Sequence, residues 1–184
     1  MQRINALDPN TATGKTKELF NEVHNKLNSV PNMMRTMGNS PAVLNAYLSF
    51  NNALSESQIG ARLGEKIALT VANANGCKYC NAAHSYIAGE LVGIDAQTIQ
   101  AAREGKAEDT RTQAALSFSR ILLAQKGKVN DHDIESLKDA GFNDGEIAEI
   151  IAHTVLNIFT NYFNNAAGVE VDFPQEELVE TALV

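Results

Sequence analysis

The chain has 184 residues, 44% hydrophobic and 20% charged, and 15 Lys and Arg against 22 Asp and Glu leave a net charge of −7. An acidic chain without a basic stripe is poorly built to hold phosphate backbones, which argues against a nucleic-acid partner. No apolar run approaches the roughly 20 residues that span a bilayer, and the segment from Met1 to Pro9 lacks the apolar core of a secretory signal. The expectation is a cytoplasmic protein with no membrane partner, folded as one domain over residues 1–184.

The apolar periodicity is helical almost throughout. Leu19, Phe20, Val23 and Leu27 recur at helical spacing before Pro31, and a short helix over Asn32 to Met37 is closed by Gly38. Ser40 precedes Pro41, a cap and first-turn pair that opens a helix to about Ala53. The stretch from about Gln58 to Ala74 is rich in Ala, Leu and Ile and stops at Gly76. The next predicted helix runs from Cys77 to Leu91 and breaks at Gly93. Asp95, then Asp109 or Thr110, suit caps for two further helices, and Asn130 with Asp133 opens a short one ending at Gly141. Asn143 with Glu146 reads as a capping box for a last long helix to about Ala166. The segment after Gly168, with Pro174 and the Glu176-Glu177 pair, reads as a loop or docking extension. No segment alternates in the manner of a strand. The fold class is all-α.

Two cysteines cannot staple a small secreted scaffold, and both lie in Cys77-Lys78-Tyr79-Cys80. At about 100° per residue, Cys77, Cys80 and His84 share one stripe, continued by Ile87 and Leu91, with Lys78, Asn81 and Ser85 opposite. Thiols and imidazole would then face inward, toward a pocket. Cys77 in the first turn would gain from the helix dipole. Cys80, one turn on, lies within disulfide reach of Cys77 and one turn from the base His84. Other readings compete. Cys77, Cys80 and His84 are three of the four ligands of a zinc site, but the chain has no second CxxC to complete it. A thioredoxin-like CxxC follows a strand, which Leu69 to Ala74 does not resemble, and two inert buried cysteines would need no His84 in register.

Glu65, eleven residues, Cys77-x-x-Cys80, three residues and His84 together resemble the signature of AhpD-type alkylhydroperoxidases, in the carboxymuconolactone decarboxylase-like superfamily. The similarity is densest from Glu65 to Gly93, a thiol-active core of about residues 58–93. The resemblance implies a single-domain AhpD-like helical bundle that reduces hydrogen peroxide or small organic hydroperoxides without cofactor or metal. It assembles as a homo-oligomer (dimer, trimer or hexamer) and draws electrons from a thiol reductant. Carried onto this chain, Cys80 is the peroxide-attacking thiol, Cys77 the resolving thiol, and Glu65 with His84 the proton relay. In the best-known members a histidine precedes the second cysteine, where this chain has Tyr79. The decarboxylase branch usually lacks the CxxC. Helix position alone favours Cys77 as the more acidic sulfur, whereas general-base help of about 10²–10⁴-fold favours Cys80 beside His84. On that reading Cys77 is the exposed thiol and Cys80 the deeper one. A CxxC redox or metal sensor without turnover, and a cofactor-free decarboxylase-like enzyme using His84 as base, are the alternatives.

Glu65 by itself sits where a solvated glutamate commonly sits, and only the resemblance places it beside His84. His24 and His132 read as surface residues. His153, Asn157, Thr160 and Asn164 form a polar stripe on an apolar helix, most simply solvent-facing or internally hydrogen-bonded. The alternative is that this stripe walls the thiol pocket. Met33, Met34 and Met37 read as core filler, with the option of lining a substrate entrance.

Overall fold

The computed structural model describes residues 1–174 and 177–179. Its helices are α1 (Gly14–Leu27), α2 (Asn32–Met37), α3 (Pro41–Leu54), α4 (Gly60–Ala74), α5 (Lys78–Tyr86), α6 (Ala96–Arg103), α7 (Thr110–Ala124), α8 (Asp131–Asp139) and α9 (Asp144–Ala167). A single π-helical turn, Ile87–Leu91, follows α5. There is no strand among the described residues. None of their helices is long and apolar enough to cross a membrane.

The ends of the helices obey the capping rules the sequence carries. Ser40, Asp95 and Asp109 each accept a hydrogen bond from the backbone N–H of the third residue of α3, α6 and α7 respectively. Asn130 with Asp133 and Asn143 with Glu146 close reciprocal boxes at α8 and α9. Each cap of this kind is worth about 0.5–2 kcal/mol. Gly38 ends α2 for a different reason from the expected glycine stop. Its backbone is ordinary right-handed helix, and what bars a side chain is the ring of Phe20, which a Cβ there would overlap.

Helix α4 is the central post, packed against α5, α6, α7 and α9. Its Ile67, Leu69, Val71 and Ala72 are fully buried. Two apolar clusters meet along it. The first joins Ile67, Leu69 and Val71 to Leu116 and Phe118 of α7, Leu137 of α8 and Ile150 of α9. The second joins Leu19 and Phe20 of α1, Met33, Met34 and Met37 of α2 and Leu44 of α3 to Cys77, Tyr79 and Cys80.

The chain after α9 docks, as one of its two readings had it. Asp172 accepts the Asn32 N–H at 2.7 Å, giving α2 the N-terminal acceptor that Pro31 cannot supply. Asn73 clasps the backbone of Val179 through both its amide groups, at 2.8 and 2.9 Å. Of the expected Glu176-Glu177 pair, Glu176 lies outside the described residues.

Candidate active site

Gly76, with φ +62°, makes the left-handed turn that ends α4. The next residue, Cys77, is extended (φ −84°, ψ 95°) and caps α5, its Sγ accepting the Cys80 N–H at 3.2 Å. This corrects the helical-wheel placement, in which Cys77 was a first-turn residue. Its backbone N–H donates to the Ala72 carbonyl at 2.9 Å, which draws Cys77 under the end of α4. Cys77 is consequently fully buried, so the expectation that it is the exposed thiol is overturned. Both cysteines are buried, and Cys80 lies on a cavity wall. The pair forms a disulfide with Cα atoms 5.3 Å apart, within the ordinary range.

The polar stripe of α5 opposite the thiols is mostly buried. Lys78 is exposed, but Asn81 and Ser85 are buried. Asn81 donates to the Cys77 carbonyl at 3.1 Å, and Ser85 accepts from Arg103 of α6 at 2.8 Å. Past Tyr86 the π-helical turn changes the angular step, so that Ile87 stays on the cavity wall while Leu91 turns out to solvent.

Helix α4 delivers Glu65 to His84, whose Nδ1–H donates to Glu65 Oε2 at 2.8 Å across two partly buried side chains. An ionised carboxylate can only accept, so the proton sits on Nδ1, and the Nε2 of a neutral ring is left as a free base. Geometry alone would not have found this pair in the sequence, because the wheel gave Glu65 a solvated position.

Two cavities meet at His84. One, about 80 Å³, is apolar, walled by Met33, Met34, Tyr79, Cys80, Ile87 and Phe173. The other, about 210 Å³, is more polar and includes Glu65, Ser57, His153 and Asn157. Tyr47, His84 and Thr160 border both. The polar stripe of α9 therefore lines these cavities, with His153 and Asn157 on the polar one, Asn164 on the apolar one and Thr160 between them. The simpler solvent-facing reading of that stripe is set aside, while Met33 and Met34 are at once core filler and chamber wall. Asn164 Nδ2 lies 3.2 Å from Cys80 Sγ and 3.3 Å from Met33 Sδ. The signal for Asn164 was present in the sequence as the α9 stripe. Tyr47, Ser57 and Phe173 carried no signal.

The titratable groups around the pair are held neutral by burial. Tyr47 is pushed up to about 12, first by desolvation and then by the Glu65 carboxylate. Burial also raises Tyr79, with the nearby Asp172 carboxylate adding to it. Tyr79 accepts the Met33 N–H at 3.2 Å and meets Phe173 edge to face at 5.8 Å. Tyr79 thus bolts α5 to α2 and to the docked tail. His153, in contact with Ser57 at 3.1 Å, is lowered by burial against the opposing pull of Glu149 and Glu65. His24 and His132 are exposed, as expected. Among the described residues no three His, Cys, Asp or Glu side chains converge on a point that could hold a metal ion.

Residues 41–124, which span α3 to α7, match the model of the carboxymuconolactone decarboxylase family. No curated protein matches the chain. Among solved structures, a peroxidase-related protein of uncharacterised function from Silicibacter sp. is 28% identical, with a TM-score of 0.78 over 92% of this chain and 94% of its own. A second peroxidase-related protein, an alkylhydroperoxidase AhpD core from Ralstonia eutropha, has a TM-score of 0.83 at 24% identity, over 93% of this chain and 92% of its own. The debrominase Bmp8, as a Cys-to-Ala variant bound to 2,3,4-tribromopyrrole, shares the fold at 21% identity and a TM-score of 0.77, over 92% and 91%.

Proposed function

This chain belongs to the AhpD-type, carboxymuconolactone decarboxylase-like superfamily, and we propose that within it the chain is a thiol peroxidase that reduces hydrogen peroxide or a small organic hydroperoxide. The observation that carries the reading is the convergence of Cys80 and His84 on one small apolar chamber, with Glu65 hydrogen-bonded to His84 from the neighbouring cavity and Cys77 already paired to Cys80.

In the proposed cycle His84 Nε2 takes the Cys80 proton, since it stands one helical turn after Cys80 on the same chamber wall. Glu65 holds the ring in the tautomer that makes Nε2 the base and steadies the imidazolium that forms. The Cys80 thiolate attacks the terminal oxygen of the hydroperoxide and the O–O bond breaks. The departing alkoxide or hydroxide takes the proton from His84, leaving Cys80 as a sulfenic acid and releasing an alcohol or water. Cys77 then attacks the sulfenic sulfur, the disulfide forms and water leaves. A thiol reductant outside the chain supplies two electrons and two protons to reopen the disulfide. The apolar walls favour a neutral peroxide and keep bulk water from the sulfenic acid. Neither Tyr79 nor Tyr47 serves as a base in this scheme, because burial holds both phenols protonated. A cycle driven by thiols needs a reducing compartment, which the cytoplasm supplies.

The assembly that fits is a homo-oligomer. Val155, Phe159 and Tyr162 form an exposed apolar row on α9, at the spacing of one helical face. Light scattering should give a multiple of 19.9 kDa, and a monomer would remove this part of the reading.

The deciding assay is steady-state peroxide consumption with dithiothreitol, then dihydrolipoamide, as reductant. Thiol-dependent turnover that disappears in Cys80→Ser is expected. No consumption, with bromide released instead from 2,3,4-tribromopyrrole under the same reductant, would move the chain to a dehalogenating role. Stoichiometric zinc in the purified protein with thiols inert to peroxide would favour a metal-sensing CxxC.

A further inference from the structure

Asn164 is nine-tenths or more buried on α9 and lies on the wall of the thiol chamber. Its two amide hydrogens are spent on two sulfurs, Cys80 Sγ at 3.2 Å and Met33 Sδ at 3.3 Å. Its Oδ1 is buried and meets no donor among the described residues. A buried amide with one end unpaired and the other on weak sulfur acceptors is an expensive arrangement. It becomes a good one in a different chemical state of the site. A thiolate accepts N–H bonds far more strongly than a disulfide or thioether sulfur, and an incoming hydroperoxide brings one O–H that needs an acceptor.

We propose that Asn164 is a substrate-orienting residue: its Nδ2 holds the Cys80 thiolate, and its Oδ1 accepts the O–H of the hydroperoxide so that the terminal oxygen faces Cys80 Sγ. This inference rests on the peroxidase reading. Met33 anchors the second amide hydrogen and so fixes which way Oδ1 points. The chemistry balances without a new reagent. The proton on the attacked oxygen never leaves it: it is bonded to Asn164 Oδ1 first as peroxide O–H and afterwards as the O–H of the Cys80 sulfenic acid. The proton that leaves Cys80 travels separately, through His84 to the departing oxygen. Asn164 and His84 thus handle the two protons of the step from different elements, α9 and α5.

The other titratable groups around Cys80 are Tyr47 on α3, Glu65 on α4, Tyr79 and His84 on α5, and Asp172 in the docked tail. Arg35 of α2 is turned away, onto the Leu7 carbonyl and Asn32. No other amide is among the groups lining the thiol chamber beside Cys80.

The test uses the reduced full-length Cys77→Ser chain, in which Cys80 is the lone thiol, and follows its alkylation by iodoacetamide against pH. Asn164→Ala and Asn164→Asp are each expected to move the midpoint to higher pH, with roughly tenfold less thiolate at a fixed pH below it. In the chain with both cysteines, kcat/KM for peroxide should stay depressed in Asn164→Ala even at a pH where Cys80 is fully ionised, because the acceptor for the peroxide O–H is gone. A midpoint unmoved in a variant that keeps the parent's thermal unfolding overturns the proposal. Should both variants fail to fold, the side-chain NH₂ resonances of Asn164 in the Cys77→Ser chain decide: they should titrate with the Cys80 midpoint, and pH-independent resonances overturn it. Failure of the underlying reading looks different. A shifted alkylation midpoint in a protein that consumes no peroxide leaves the Asn164–thiolate pairing standing and removes the peroxidase.

Discussion

The two apolar clusters on either side of α4 are built from different materials. The cluster toward α7 and α8 is hydrocarbon, with Ile67, Leu69, Leu116, Leu137 and Ile150 all fully buried. The cluster toward α1 and α2 holds three methionines, both cysteines and Tyr79 beside its leucines and Phe20. Helix α9 changes character at the same boundary. Its first half presents Ile147 and Ile150 to the hydrocarbon side, and its second half buries Asn157, Thr160, Asn161 and Asn164. Aliphatic side chains interlock densely and leave little space. Sulfur, phenol and amide groups pack around a small chamber. The difference teaches that one half of the molecule holds the other in shape. The thiol-bearing half is the more polar of the two, and α4 and α9 run through both.

The sharpest way to break that comparison is to damage each side separately. His84→Gln should lower kcat/KM for peroxide by about 10²–10⁴-fold while leaving the unfolding midpoint close to the parent's. Ile150→Ala should do the opposite, costing about 2–5 kcal/mol in urea unfolding with kcat per folded molecule retained. A stable Ile150→Ala that has lost its activity would show that the two halves are not separable.

A smaller effect tests Cys77 as a structural residue of the reactive half. Because its Sγ caps α5, the reduced Cys77→Ser chain keeps a capping oxygen and Cys77→Ala keeps none. The alanine chain should be less stable by about 1 kcal/mol, a gap that would be absent if Cys77 were an ordinary helical residue.

Much of the architecture was legible in the sequence because its causes are local. Ser40, Asp95, Asp109, Asn130 and Asn143 announce helix starts through short-range hydrogen bonds that need no tertiary context. The site was half legible. Spacing placed Cys80 and His84 one turn apart, and the resemblance added Glu65. The inversion of burial at Cys77 was not, because it depends on the Gly76 turn and on a backbone bond to Ala72 that no periodicity encodes. Nor was the role of Tyr79, whose partners Met33 and Phe173 come from segments 46 residues before it and 94 residues after it. The α9 stripe was visible as a pattern, but its direction was set by packing against α4 and α5.

The smallest expected effect concerns His153, on the polar cavity. Burial lowers its pKa below the ordinary 6.5, so as the pH falls the unfolded chain takes up this proton before the folded one does. Its contribution to stability is therefore fully present above pH 6.5 and is lost as the pH falls through the lowered folded value. His153→Gln should flatten the acid side of the stability–pH curve measured by urea unfolding. An unchanged slope would mean the ring titrates alike in both states.

The central claim is that Cys80, with His84 as its base, is the sulfur that meets the peroxide. Its most direct test treats Cys77→Ser and Cys80→Ser with one equivalent of hydrogen peroxide and a sulfenic-acid trap, then locates the adduct by mass spectrometry. Cys77→Ser should carry the adduct on Cys80, and Cys80→Ser should carry almost none. An adduct on Cys77 with Cys80 unmodified would contradict the account and assign the attack to the helix cap.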